Sequence, residues 1–234
     1  MTILAIDFGG TQVKSALVSE EFALEKSLPT QSSPQTLNQT LDVIDYLVTS
    51  VKVALTGIAI SVPGTVDTDE GVIYHGGLLR FFHGFRIKDI LEAKYHLPVT
   101  ALNDGKAAAL GELAMGHLQG VTNGAALVLG SGLGGGLIIN GKLFQGSHFQ
   151  AAELTFLLPV QMEKVNPSQM RGTTLSAVGF ITRVNEVLGN ADLKDGREAF
   201  KAINARNEAV YPIFEAYCRT VSYTHLTLPT ILLV

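Results

Sequence analysis

The chain has 234 residues, 47% hydrophobic and 16% charged, so it carries apolar material for one large core or two domain-sized ones and is not expected to be disordered. A formal net charge of -4 without a basic cluster argues against a nucleic-acid partner. No segment reaches the roughly 20 apolar residues of a membrane span and no signal-peptide pattern opens the chain, while the single cysteine, Cys218, excludes an intrachain disulfide; a cytoplasmic protein is expected.

Thr2 to Phe8 is a short apolar run rich in strand formers, Gly9-Gly10-Thr11 interrupts it, and Val13 to Val18 resumes the strand pattern. A hairpin with a glycine turn follows. Ser33-Pro34 reads as a cap and first-turn proline for a helix on which Leu37, Leu41, Ile44 and Leu47 recur down to Thr49. Ala54 to Ser61, stopped by Pro63-Gly64, suits a buried strand of a mostly parallel sheet. Ile87 to Tyr95 reads as helix, Val99 to Leu102 as a second buried strand, and alanine-rich Lys106 to Met115 as helix. Asn103 and Asp104 thus fall at a strand's carboxyl end just before a helix, where open α/β sheets place their ligand chemistry.

Ala125 to Leu129 and Gly136 to Ile139 make another strand pair around Gly130-Ser131-Gly132-Leu133-Gly134-Gly135, with a hairpin turn at Asn140-Gly141. Beyond Pro159 helices are predicted at Leu175 to Val187, Arg197 to Ala202 and about Glu208 to Arg219. Ser222 to Val234 shows no helix period and carries Pro229 in its apolar part. Two glycine-turn hairpins, each heading its own strands and helices, predict a duplicated α/β domain with a cleft between the halves. The divisions fall at 1–104, 105–220 and an anomalous tail, 221–234.

Four constellations can carry chemistry. In Asp7-Phe8-Gly9-Gly10-Thr11 a carboxylate ends a strand and two glycines let backbone amides approach phosphate; the carboxylate would hold Mg²⁺, often through water. The plain alternative is a turn. The Gly130 to Gly136 run is denser in glycine than a turn requires, and because it lies between strands instead of opening a helix, a dinucleotide fingerprint fails on context. Ser131 and the surrounding amides would suit nucleotide phosphates. Asn103-Asp104 offers a base for an attacking hydroxyl and an amide to orient it, or else a helix cap. Glu153, among small and apolar neighbours, can accept from sugar hydroxyls or be an exposed helix carboxylate. The six histidines show no metal-ligand spacing and read as surface or loop residues.

In this order, DFGGT at Asp7, SVPGTVDTDEGVIYHGG at Ser61, LNDGKAAALGE at Leu102, LGSGLGGG at Leu129 and AAEL at Ala151 resemble the ROK family of sugar kinases and related regulators. The resemblance runs from about Thr2 to Arg219. It implies an actin-like ATPase (ribonuclease H-like) fold and transfer of phosphate from ATP to the 6-hydroxyl of a hexose or β-glucoside. It further implies Asp104 as catalytic base, with Gly64, Gly77, Asn103, Asp104 and Glu153 around the sugar. Asp7, Gly9, Gly10, Thr11, Lys14, Gly130, Ser131, Gly132 and Gly134 would face metal and triphosphate, and a full-length chain would be a homodimer. Thr155 and Phe156 stand where the family commonly has Gly-His, and Val160 to Ser176 lacks the family's cysteines, so no structural zinc is expected. Family chains continue for tens of residues with a further adenosine-contacting segment. Here Ser222 to Val234 matches none of it and resembles translated adapter sequence, so the second domain is expected to be incomplete. The segment GSHFQAAELTF is closer to the β-glucoside kinase branch, whose preference Phe156 would serve by stacking on a second ring or aglycone. Two other readings stay open: a sugar-responsive transcriptional regulator, which would need a DNA-binding part from elsewhere, and a sugar-binding remnant without catalysis.

Overall fold

The computed structural model describes residues 1–156 and 171–231, with backbone alone for 171 and 223–231. Alternation in the first run puts Leu4, Ile6 and Phe8 into the core, none more than 2% exposed. This strand, β1 (Thr2–Phe8), pairs antiparallel with β2 (Gln12–Ser19) from Thr2 opposite Ser19 to Phe8 opposite Val13. The turn between them is closed by Gly9 N donating to Gln12 O at 3.0 Å. Short β3 (Leu24–Ser27) and β4 (Gln31–Ser32) extend β2 outward.

The helix that follows starts later than Ser33-Pro34 suggests. Thr36 caps α1 (Leu37–Ser50) by accepting from Gln39 N, and Ser33 instead donates its hydroxyl to Gly9 O at 2.8 Å. Ser33 therefore steadies the glycine turn. From α1, Thr40, Ile44 and Leu47 point inward at helical spacing. The chain then enters β5 (Leu55–Val62), parallel to β1. After a small antiparallel sheet of β6 (Thr65–Asp67), β7 (Val72–His75) and β8 (Phe85–Arg86), the helix α2 (Ile87–Tyr95) returns the chain to β9 (Val99–Asn103), parallel to β5. The main sheet runs β3-β2-β1-β5-β9, with β4 beside β2. Its core joins the sheet's aliphatics to Ile44 and Leu47 of α1, Leu91 of α2 and Phe82, which meets Phe8 edge-on at 5.8 Å.

Helix α3 (Asp104–Met115) begins at the residue after β9. Next come β10 (Gly124–Leu129), β11 (Leu133–Ile139) and β12 (Lys142–Phe144), in that order in a third sheet. Asn140 and Gly141 both have positive φ, 54° and 72°, the two-residue turn that suits the twist of β11 and β12.

By packing, the chain divides into one compact unit of 1–127 and 135–152 and another of 128–134 and 153–234. The sequence puts a boundary at Asp104, but α3 stays with the first unit. Its glycine partner on β11 explains this: a Cβ at Gly136 would sit 2.4 Å from Ala109 Cβ.

In the second unit a 3₁₀ turn, Leu154–Phe156, precedes α4 (Arg171–Thr174), α5 (Ala177–Leu188), α6 (Gly196–Asn204) and α7 (Tyr211–Ile231). Ser176 caps α5 and Asp195 caps α6, while Gly189 ends α5 at φ 69°. Phe180, Ile181, Val184, Ala199, Ile203 and Val210 make this unit's core, and Phe180 stacks on Tyr217 at 4.4 Å. The sequence reading of 222–234 as irregular is corrected: α7 continues to Ile231, with Pro229 in its last turn, since extending an established helix costs less than starting one. The packing of Leu228, Ile231 and Leu232 lies outside the described residues, as does most of the stretch from Val160 to Ser176. Among the described residues no helix is long and apolar enough to cross a membrane.

Candidate active site

Asn103 unites two readings that the sequence leaves as alternatives. Its Oδ1 caps α3 by accepting from Lys106 N at 3.0 Å, and its Nδ2 donates to Gly64 O at 2.8 Å and to Asp104 Oδ1 at 3.1 Å. With Asn103 only 2% exposed, its amide depends on these bonds for partners. The cap thus fixes the end of β9 against the Pro63-Gly64 turn.

Asp104 presents its surface to solvent but has dense protein behind it. Desolvation by that surrounding protein raises its pKa above the ordinary carboxylate value, and the negative charge of Asp7 adds to the effect. Hydrogen bonds from Gly105 N, at 2.8 Å, and Asn103 work in the opposite direction without cancelling it.

Gly64 and Gly77 have a backbone reason to be glycine. Gly64 has φ 99°, and a Cβ there would lie 1.9 Å from His75 O and 2.6 Å from Gly77 N; Gly77 has φ 56°. The two turns lie against each other, so Gly64, Gly77, Asn103 and Asp104 meet in one unit.

Asp7, one residue before the end of β1, lies opposite Lys14 of β2 and Ser61 of β5. The Ser61 hydroxyl donates to Asp7 Oδ1. Gly10, Thr11 and Lys14 are exposed at this end of the hairpin, with Gly9 half-buried. The charge of Asp7 is felt at Asp104. Carboxylate oxygens are the kind of donor that a hard cation such as Mg²⁺ takes, although among the described residues no group of three or more histidine, cysteine or acidic side chains gathers to hold a metal.

The remaining candidates belong to the second unit, except for the outer glycines of β11. Gly130 N donates to Gly132 O at 3.0 Å, and Gly130 O accepts from Ala177 N at 2.9 Å, which fastens the first residue of α5 to the turn. Neither Gly130 nor Gly132 has positive φ, and a Cβ on either would meet nothing closer than 3.6 Å. Packing therefore gives no reason for glycine there, whereas the adjoining helix N-terminus and the exposed Ser131 suit an anion. By contrast Gly135 and Gly136 are packing glycines, closed in by Ala126 O at 2.7 Å and by Ala109, so the density of the run has two causes. Gly134 lies in β11 itself.

Glu153 is half-buried just before the 3₁₀ turn, and Thr155 anchors that turn by donating to Leu133 O at 2.6 Å. Phe156 is 59% exposed. Its ring does not fill the core.

Two features escape sequence reasoning. Lys106 is fully buried, and its Nζ donates to Phe149 O at 2.5 Å; a lysine within an alanine-rich helix gives no hint of this. The histidines at 75, 83 and 148, read as plain surface residues, come together around a recess of about 550 Å³ in the first unit. Their spacing in sequence hides it.

The mixed α/β fold, with Asp7 and Asp104 at the same end of parallel strands on either side of β5, is that of the actin-like ATPases, and the solved structures agree. A ROK family glucokinase from Streptomyces griseus, in complex with glucose and AMPPNP, matches with TM-score 0.84 at 24% identity, covering 99% of this chain and 80% of that one. A ROK family protein from Streptococcus pneumoniae, in complex with sucrose, matches with TM-score 0.78 at 30% identity, covering 97% and 76%. In sequence the chain is 36% identical over 217 residues to a β-glucoside kinase of Listeria monocytogenes, covering 88% of this chain and 71% of that relative. The ROK family model matches residues 3–171. The chain belongs to the ROK family and is homologous to its sugar kinases.

Proposed function

We propose that this chain transfers a phosphoryl group from ATP to the 6-hydroxyl of a hexose or β-glucoside. The observation that carries the reading is the pair Asn103 and Asp104: a carboxylate of raised proton affinity at the end of a buried parallel strand, beside an amide pinned to Gly64 O. A carboxylate shifted toward neutrality is a better acceptor for a hydroxyl proton than an ordinary one. Asp104 takes that proton while Asn103, Gly64 and Gly77 hold the sugar, and Glu153 of the second unit is a further candidate to accept from sugar hydroxyls.

In the first unit the amides of Gly9 to Thr11, with Lys14, are suited to phosphate, and in the second unit those of Gly130 to Gly132, with Ser131 and Gly134, are suited to it as well. Asp7 would hold Mg²⁺, which when bound would screen phosphate charge. Positioning and electrostatics account for most of the rate. Kinship with a β-glucoside kinase favours a β-glucoside over free glucose.

The test is a coupled ADP-release assay with glucose, cellobiose and an aryl β-glucoside. ADP formation that requires sugar, with higher kcat/KM for the β-glucosides, is the expected result. A chain that releases no ADP with any of them rejects the kinase reading, and a clear preference for glucose rejects the finer one.

A further inference from the structure

We infer that the recess beside β6 and β7 is a subsite for the second ring of a β-linked glucoside, an inference that rests on the kinase reading for its first ring. Its wall comes from Thr65, Tyr74, His75 and His83 on one side and from the 147–150 segment, including Phe149 and Gln150, on the other. At about 550 Å³ it falls within the range of roughly 300–1,000 Å³ usual for small-molecule sites.

The lining chemistry selects the ligand class. Among the described residues lining it there is no carboxylate, lysine or arginine, so a neutral molecule fits better than a nucleotide or sugar phosphate. Rings dominate instead: His75 and His83 lie 4.8 Å apart, and Tyr74 and Phe149 6.4 Å apart. Pyranose rings present apolar faces and hydroxyl edges, and aromatic faces beside hydroxyl and amide groups complement both.

The recess is also prepared in advance. The Tyr74 hydroxyl donates to Asp67 Oδ2 at 3.1 Å, and Asp67, 7% exposed, is itself fixed by Asp69 N and Glu70 N. Gln145 Nε2 donates to Thr68 Oγ1 at 2.8 Å and Gln150 Nε2 to Thr65 Oγ1 at 3.4 Å, so the two walls are joined. Its place in the chain links it to the first ring's candidates. Thr65 follows Gly64, His75 O closes on Gly64, and Phe149 O is held by Lys106, two residues beyond Asp104. A ring seated there would be joined to a first sugar held by those residues.

Calorimetric titration with cellobiose and with glucose, on the native chain and on the double variant His75→Ala, His83→Ala, tests the inference. Both side chains are exposed, so the fold should tolerate the change. The native chain should bind cellobiose more tightly than glucose, and the variant should lower the cellobiose-to-glucose affinity ratio about two- to tenfold. An unchanged ratio, or no cellobiose binding by the native chain, overturns the subsite. Turnover measured in parallel separates the two readings: histidine-dependent cellobiose binding without ADP release would reject the kinase and keep the subsite.

Discussion

Asp104 is a residue whose chemistry and stability pull in opposite directions. Its carboxyl is harder to ionise in the folded chain than in the unfolded one. Between its ordinary and raised pKa the folded state holds the proton more often, so stability falls as pH rises through that window and stays reduced at neutral pH. Asp104→Asn keeps the shape and cannot ionise. We expect turnover to fall by about 10²- to 10⁴-fold, while the melting temperature at pH 7 stays the same or rises. A variant that keeps near-native turnover removes Asp104 as the base, and one that melts well below the native chain contradicts the electrostatic account. Asp7 contributes to the same shift, so in Asp7→Asn the Asp104 titration, followed by carboxyl NMR without metal or nucleotide, should move to lower pH. An unmoved midpoint would separate the two carboxylates.

Among the elements, glycines divide by what they serve. At Gly64 positive φ and the nearby His75 carbonyl leave no room for a side chain, and at Gly136 the neighbour is Ala109 of α3. Gly64→Ala and Gly136→Ala should each destabilise by about 1–3 kcal/mol in urea unfolding. Gly132→Ala has the space and should unfold like the native chain while raising KM for ATP. If it destabilises as much as the others, the turn is a packing device. Between Gly132 and Gly136 this division was not legible in the sequence, where both read as parts of one glycine run. The strands β1, β2, β5, β9, β10 and β11 and the helix α2 were legible because alternation and apolar runs are local signals, and α2 matches its predicted span of Ile87 to Tyr95, whereas the short β3, β4, β6, β7 and β8 carry no such signal. The start of α1 was misread because Ser33 and Thr36 are both capable caps, and only the contact of Ser33 with Gly9 decides between them. At the site, Asn103 and Asp104 were visible as a strand end, whereas the recess around His75 and His83 depends on a segment more than sixty residues away.

For the whole molecule, the sole thiol of the sequence, Cys218, is exposed, and Phe156 occupies the place where the resemblance has a histidine. Elemental analysis of the purified chain should find no stoichiometric zinc; one tightly held zinc per chain would overturn that expectation. Lys106 has a different consequence. Its ammonium is sealed between α3 and the Phe149 carbonyl, while Lys14 and Lys26 face solvent. An amine-acylating reagent should modify Lys14 and Lys26 at once and reach Lys106 only when α3 and the Phe149 segment part. The rate of acylation at Lys106, read by mass spectrometry, then becomes a clock for local opening, and a sugar that clasps this region should slow it.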